Sequence, residues 1–477
     1  MGKKIVVDPV TRIEGHQEVV TTVEGGKVVA AKVRGTMARG FEGFLRGRRW
    51  MDATVATSRV CGVCWHVHAE ASNKAMEKAT GIEPTENGRL MRELTVAAHM
   101  IADHILHTYF LTGPDWFDVA KAAEYSGQNS KVRSVIQAVK SNTFGLIQQY
   151  PQGRYLEDSV ICEALLAHYL EALGYIQRLH SAIALCGSKA PHPHSITPAG
   201  VTTEITTEKL AHLSSVLDAT REFVETTLLP DAMAIARHFP EHFEHGNSGG
   251  NFLALDTCFR PGGTPLFKSG VLLEGKPVPF SQAEVTEETA QSYYAADGSY
   301  APDKAGAYSY VKAPRYQGQI AEVGPLARLM VNNDKRLAQV VSSLGGRLGS
   351  SNMCRLVARG VECLNFLDYC DEVISHLFKH IDAPFIKEWD PNGDFTGSGW
   401  GHAIAARGDL MHYYRLKNGV IEDANLIVPS TWNFSPMGGP AEQAMVGLPA
   451  TYKGKETNLE VIRTTHSFDP CMACSIH

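Results

Sequence analysis

Two cysteine pairs are the residues here whose type and spacing most directly imply chemistry. Cys61 and Cys64 form one C-x-x-C in Arg59-Val60-Cys61-Gly62-Val63-Cys64. Cys471 and Cys474 form another in Asp469-Pro470-Cys471-Met472-Ala473-Cys474, near the last residue. One such pair alone reads as a thioredoxin-like dithiol when a helix follows. Two pairs supply four thiolates, a donor set for a soft or borderline metal. On spacing alone the first reading is a closed four-cysteine zinc site. Neighbouring residues argue for more than a structural ion. His68 follows Cys64 by one helical turn, where an imidazole can hydrogen-bond a thiolate. Thr11-Arg12-Ile13-Glu14-Gly15-His16 sits just before the first strands. His477 follows Cys474 by three residues, and a terminal histidine tethered beside a metal becomes a candidate ligand rather than a loose tail. Cys162, Cys186, Cys258, Cys354, Cys363 and Cys370 are single and read as small buried hydrophobes.

The two pairs lie 410 residues apart (471 minus 61), so joining them requires the chain ends to meet in one core. The elements around them are legible. Glu18 to Val23 and Lys27 to Val33 are valine- and threonine-rich and flank Gly25-Gly26, a hairpin signature. Apolar residues at 90, 94, 97, 101 and 105 predict a helix over 89–111. Further helices are predicted over 155–186, closed by Gly187; over 209–239, interrupted at Pro230; and over 326–344 and 355–381. Arg92, His99, Asp103 and His107 form a polar stripe at helical spacing, which on an exposed helix is a solvated face. Between 240 and 320, clusters such as Gly246-Asn247-Ser248-Gly249-Gly250 predict loops and small sheets; none is a phosphate loop. A second hairpin turns at Asn418-Gly419. The expected fold is α+β, predominantly α. Residues 1–477 form one large domain: a β-hairpin region (1–35), a helical core (50–240 and 325–385), a loop and small-strand region (240–320), and a C-terminal region (400–477) returning to the metal site.

Composition removes other classes. The chain has 477 residues, 44% hydrophobic and 20% charged, so it can bury a large core and is not a disordered chain. Its formal net charge of −6 offers no basic footprint for nucleic acid. No uninterrupted apolar run approaches the roughly 18–20 residues of a membrane span. Met1 to Asp8 has two lysines but no apolar core, so no secretory signal is expected; export would rely on a partner's signal.

Taken together, R-x-C-G-x-C with its following histidine, the R-I-E-G-H opening and the D-P-C-x-x-C-x-x-H ending resemble the large, catalytic subunit of nickel–iron hydrogenases, uptake-type branch. The resemblance continues through Gly40-Phe41-Glu42, Asp103-His104-Ile105-Leu106-His107, Lys312-Ala313-Pro314-Arg315-Tyr316, Glu322-Val323-Gly324-Pro325-Leu326, Ala406-Arg407-Gly408 and Val428-Pro429-Ser430-Thr431-Trp432-Asn433, in order along essentially the whole chain. It implies reversible heterolytic cleavage of H2 to protons and electrons, an oxidoreductase activity with hydrogen as donor.

The resemblance also implies roles. Cys61, Cys64, Cys471 and Cys474 ligate nickel, and Cys64 and Cys474 bridge to an iron that carries CO and cyanide ligands. Arg407 and Ser430 hydrogen-bond the cyanides, while Val428, Pro429 and Leu410 wall the carbonyl. Glu14 accepts a proton from Cys471. His68, Asp103 and Asp469 support the centre. Glu42, the Leu426 carbonyl and His477 hold a separate magnesium, with iron the alternative at an imidazole-bearing site. His477 is the end left after a precursor extension is removed. An iron–sulfur small subunit completes a heterodimer or a dimer of heterodimers and hands electrons to a carrier such as a cytochrome, since no cysteines here remain in an iron–sulfur spacing. The implied location is periplasmic or membrane-associated through partner subunits, with the cytoplasm as the alternative.

Three positions depart from the family pattern: Ala406 where proline is frequent, Trp65-His66 where proline or threonine is frequent, and Cys471 where one branch has selenocysteine. The rivals are the related quinone-site subunit of respiratory complex I, which lacks the nickel cysteines, and a redox-inert zinc protein.

Overall fold

The computed structural model describes residues 2–122, 124, 130–141, 150, 152–295 and 298–476. The N-terminal strands form where valine and threonine alternate: β1 (Lys3–Val7), β2 (Gln17–Glu24) and β3 (Lys27–Gly35) make an antiparallel sheet in the order β1-β2-β3. Gly25 and Gly26 both take positive φ (57° and 76°), the geometry of a two-residue hairpin turn whose twist matches the strands. β1, with Val7 opposite Val19, is an addition to the sequence expectation.

Helices supply most of the remaining framework. α1 (Trp65–Thr80) begins directly after Cys64 and ends at Gly81 in the left-handed conformation, a common helix stop. α2 (Glu86–Leu106) is capped by the Thr85 side chain, which accepts from Gly88 N. A wide (π) turn over His107–Thr112 follows α2, where the periodicity alone had extended the helix. The polar stripe of α2 is no solvated face: Arg92, His99, Asp103 and His107 are all buried. α3 (Ser159–Gly187) starts at its Asp158 cap, whose carboxylate accepts from Val160 N and Ile161 N. α3 packs on α2 yet leaves Val160, Leu173 and Leu185 exposed. By length and composition it could cross a membrane, at a mean hydropathy of 1.2 with 22% of that window buried. This corrects the expectation of no such segment: Glu163, Glu171 and Arg178 break any continuous apolar run, but the helix remains apolar on average.

The expected break at Pro230 is milder than a break. α4 (Thr207–Phe223) passes through a wide turn at Val224–Leu228 into α5 (Leu229–His238), so Pro230 sits at a helix start, where it has no hydrogen bond to lose. The 326–344 pattern divides into Pro325–Val331 and Lys335–Ser343, because Asp334 caps the second helix by accepting from Leu337 N. α6 (Asn352–Lys379), capped by Ser351, crosses beneath α2. Short strands fill the 240–320 region as expected.

A three-stranded sheet then fixes α1. β4 (Gly397–Ala405), β5 (Gly408–Lys417) and β6 (Val420–Ile427) pair in that order, and the β5–β6 turn at Asn418-Gly419 takes φ of 49° and 71°. Gly397, Gly399 and Gly401 alternate along β4, and α1 lies directly upon them. A Cβ at Gly401 would stand 2.2 Å from Ala71 O and Ala75 N. No side chain fits there, so glycine is what lets helix and strand approach this closely. A further helix, α7 (Leu459–Ser467), leads into Asp469 and the second cysteine pair. The chain ends do meet: Glu14 forms a parallel β-bridge with Cys471, and the Glu14 carbonyl accepts from Met472 N at 2.7 Å.

Candidate metal centre

Two tight loops present the cysteines. In the first, Val63 N and Cys64 N point at the Cys61 sulfur (3.2 and 3.1 Å), and Cys64 ends the loop as the residue before α1. In the second, Asp469 adopts a left-handed backbone (φ 59°) before Pro470, and Cys471 begins a short helical turn. Gly15 lets the N-terminal segment press on that turn: a Cβ there would lie 2.5 Å from Ala473 N, and φ is +86°. Arg39 ties the loops together, with Nη1 donating to Val60 O and, at 2.9 Å, to Ala473 O.

The four sulfurs converge, all within 4.8 Å of one another and all buried. Cys61 Sγ is 3.4 Å from Cys471 Sγ, Cys64 Sγ is 3.2 Å from Cys474 Sγ, and Cys471 Sγ is 2.8 Å from Cys474 Sγ; none is in a disulfide. Burial drives every thiol towards its neutral form. The neighbouring sulfurs and Arg407 overcome this only at Cys61, whose pKa falls well below normal, while Cys64, Cys471 and Cys474 are pushed up. Four thiolates at this separation can ionise together only around a cation.

A small cavity beside the sulfurs is lined by His68, Arg407, Leu410, Pro429 and Ser430 as expected, together with Val67 and Ala405, which the sequence did not single out. Val428 is buried and joins the same core. Ser430 Oγ accepts from Cys471 N at 2.9 Å, so its own hydroxyl proton is left to donate. His68 Nε2 reaches Cys474 Sγ at 3.3 Å, on the opposite pair from its sequence neighbour Cys64, and its Nδ1 meets His412 Nε2 at 3.2 Å.

Arg407 Nη2 pairs with Asp469 Oδ1 at 2.9 Å, and Nη1 lies 3.9 Å from Asp103 Oδ2. Burial opposes its charge, but Asp469 and the sulfurs outweigh that and hold it protonated. Asp103 and Asp469 diverge. Burial raises Asp103 well above the usual carboxylate range, whereas at Asp469 the Arg407 guanidinium overcomes burial and lowers the pKa. Glu14 is half-buried; burial first, and then the Cys61 charge, raise its pKa.

Glu42 faces Lys312, whose Nζ lies 2.9 Å from both carboxylate oxygens, and Glu42 Oε1 accepts from Leu426 N at 3.1 Å. Glu42 and Leu426 are thus neighbours, while His477 lies outside the described residues. Sequence reasoning missed Arg359, which contacts Asp469 (3.3 Å) and His104 (3.2 Å), and the Glu362–Arg328–Asp409 chain behind it.

Residues 39–477 match the family described as Nickel-dependent hydrogenase, and residues 4–33 match one described as HoxL-like. The chain belongs to the nickel-dependent hydrogenases. Among its relatives is the Hydrogenase-2 large chain of Escherichia coli strain K12, 30% identical, with 100% of this chain and 97% of the relative covered. The periplasmic NiFeSe hydrogenase large subunit of Desulfomicrobium baculatum is 31% identical, with 99% and 95% covered. The solved NiFeSe hydrogenase of Dm. baculatum, H2-activated, superposes with a TM-score of 0.89 at 29% identity, covering all of both chains. That of D. vulgaris Hildenborough in the reduced state gives 0.87 at 31%, again covering both chains fully. The hydrogenase described here is therefore a large subunit with the expected α+β fold, an oxidoreductase acting on H2. All four clustered positions in it, Cys471 included, are cysteine.

The residues present fit a nickel–iron group. The four sulfurs offer soft anionic donors in one buried cluster. Arg407 lines the cavity, and its buried Nε and Nη1 make no hydrogen bond, with Asp103 Oδ2 standing off at 3.9 Å from Nη1, so the guanidinium has donors to spare for a bound group.

Proposed function

We propose that Cys61, Cys64, Cys471 and Cys474 hold the nickel, with Cys64 and Cys474 shared with an iron that bears CO and cyanide ligands. Arg407 Nε and Nη1 carry this reading, because buried donors that make no hydrogen bond cost stability unless a ligand such as cyanide accepts from them. Ser430, with its hydroxyl proton available, serves a second cyanide, and Leu410, Pro429 and Val428 give the apolar surround of the carbonyl. When bound, the centre supplies open coordination positions at which H2 is split heterolytically.

The chain's own residues then manage the proton. Cys471 Sγ takes it first. Glu14 takes it next, because its backbone is bridged to Cys471 and its carboxyl sits beside Cys61 with a raised pKa, which eases proton uptake. Arg407, held cationic, stabilises negative charge at the cavity and orients there through Asp469 and Asp103. His68 donates to the Cys474 sulfur and keeps it in place. Glu42, the Leu426 carbonyl and the terminal His477 hold a magnesium (iron as the alternative) that anchors the C-terminus.

The electrons leave through an iron–sulfur small subunit. Among the described residues, the six other cysteines join no cluster of metal-ligating side chains, which fits a relay carried by the partner. The subunit docks where Gly15, His16 and Gly62 are exposed beside the cysteine loops. The heterodimer works in the periplasm or at the membrane through its partners, which the name of the D. baculatum relative supports. A downstream carrier such as a cytochrome then accepts the electrons.

The test is to purify the chain with its small subunit and measure three things: nickel and iron content, infrared bands of CO and cyanide, and H2-dependent dye reduction. Equimolar nickel and iron with those bands are expected. Zinc in the four-cysteine site, or a lack of the bands in active enzyme, overturns the proposed centre.

A further inference from the structure

A second trio of ligating side chains converges far from the cysteines in sequence. His242 lies in the short turn Pro240–Phe243, His245 just beyond it, and Glu460 in the first turn of α7. One ligand atom from each lies within 4.8 Å of the other two. His242 Nε2 is 3.0 Å from Glu460 Oε2, and His245 Nδ1 is 3.7 Å from the same oxygen. All three atoms are buried, and none makes a hydrogen bond of acceptable geometry. Close approach without alignment is how ligands aimed at a common ion sit. With metal–ligand distances of roughly 2.0–2.1 Å, neighbouring donors in a tetrahedral shell stand about 3.3 Å apart.

We infer that His242, His245 and Glu460 form a further metal site, for a divalent first-row transition ion such as zinc. Two imidazoles and one carboxylate with a position left open are a donor set used by zinc and by non-haem iron(II). The surroundings orient each ligand. Asn352 meets His242 Nδ1 at 3.2 Å and also contacts Thr464 Oγ1 (2.9 Å) and Ser467 Oγ (3.2 Å). Both hydroxyls can donate or accept. The amide can therefore turn its oxygen towards His242 Nδ1–H, which frees the Nε2 lone pair for the ion. Arg463 Nη1 donates to Glu460 Oε1 at 2.9 Å, leaving Oε2 for the metal. Trp116 packs edge-on against the His242 ring at 4.8 Å and fixes its rotamer.

His245 is partly exposed, giving the ion an entry and a place for water. The site would clamp α7, the helix that leads into Asp469 and Cys471, onto the turn after α5.

The test uses the assembled, nickel- and iron-loaded heterodimer, treated with chelator and titrated with Co2+ as a spectroscopic stand-in. We expect one saturable equivalent with visible d–d absorption, displaced by Zn2+, and a melting temperature raised by Zn2+. His245→Ala, at the partly exposed ligand, should lose that equivalent and the Zn2+ response while keeping nickel content and H2 oxidation. Glu460→Gln, which keeps the contact to Arg463, should lose the equivalent as well. Absence of a Co2+ equivalent in the unaltered enzyme, or its survival in both variants, overturns the site and leaves a packed polar cluster.

Discussion

Glu14→Gln separates proton transfer from metal binding. Every contact that ties Glu14 to the second cysteine loop is made by its main chain: the β-bridge to Cys471 and the carbonyl accepting from Met472 N at 2.7 Å. The substitution leaves these intact and keeps an oxygen to accept from Gly62 N. The raised pKa sets the sign of the stability effect. The unfolded chain ionises Glu14 before the folded one does, so ionisation weakens the fold as pH rises from the unfolded pKa, 4.5, towards the higher folded value. Glutamine mimics the favoured neutral form, so the melting temperature at neutral pH should stay level or rise slightly, and nickel and iron content should match the unaltered enzyme. What disappears is the exchangeable carboxyl proton. General acid–base assistance of roughly 10²–10⁴, about 3–5.5 kcal/mol of barrier, should be lost. The assay is H2/D2O exchange alongside H2-driven dye reduction, both normalised to measured nickel. A fall of at least about 10² in both is expected. Near-native exchange with full metal would refute the route and return Glu14 to a structural partner of the second cysteine loop.

Cys64→Ser or Cys474→Ser should abolish retention of both metals, since a hydroxyl is a poor substitute for a soft bridging thiolate; full nickel by elemental analysis in either variant counts against the assignment. Gly401→Ala forces a Cβ to within 2.2 Å of α1 backbone atoms and should cost about 1–3 kcal/mol in chemical denaturation, with lower metal occupancy because α1 carries His68 and starts directly after Cys64. Glu362 is pushed up by burial, but Arg328 outweighs this and leaves its pKa at about 2, below the ordinary 4.5. Its contribution of about 3 kcal/mol is therefore present above pH 4.5 and fades as pH falls towards 2, and Glu362→Gln should flatten that part of the stability–pH curve.

Local signals in the sequence were reliable where a residue's own backbone decides the outcome. Gly25-Gly26 and Asn418-Gly419 turn the hairpins because those pairs tolerate positive φ. The cysteine pairs were found because their spacing is compact, and Glu14 because the R-I-E-G-H opening resembles the family's. What stayed hidden was set by distant partners. The helical stripe of Arg92, His99 and Asp103 looks like a solvated face until Glu70 and Glu77 of α1, the Val63 carbonyl and Arg407 meet it. The wide turns at His107–Thr112 and Val224–Leu228 leave apolar periodicity nearly unchanged, so no pattern marks them. Lys312 reaches Glu42 across 270 residues, and His242 meets Glu460 across 218 (460 minus 242). Long-range charge pairing leaves no period to read.

Those hidden charges explain why the cavity can keep a guanidinium beside metal ligands. Outward from the sulfurs, sign alternates through buried groups: Arg407, then Asp469, then Arg359. Arg359 meets His104, which contacts Glu362 at 2.8 Å, and Glu362 holds Arg328, which also grips Asp409 at 3.0 Å. Asp409 stands two residues after Arg407 and accepts from Leu255 N, so the chain of contacts returns to the strand that directly follows the guanidinium's residue. Each buried charge is thus compensated by the next, which is the condition under which ions survive away from water. A single aspartate would leave Arg407 one contact to pivot on. The returning network fixes both its side chain, through Asp469, and its backbone, through Asp409. That double anchoring holds the guanidinium at the cavity with Nε and Nη1 making no hydrogen bond, a cost the fold bears to present fixed donors to the group it binds.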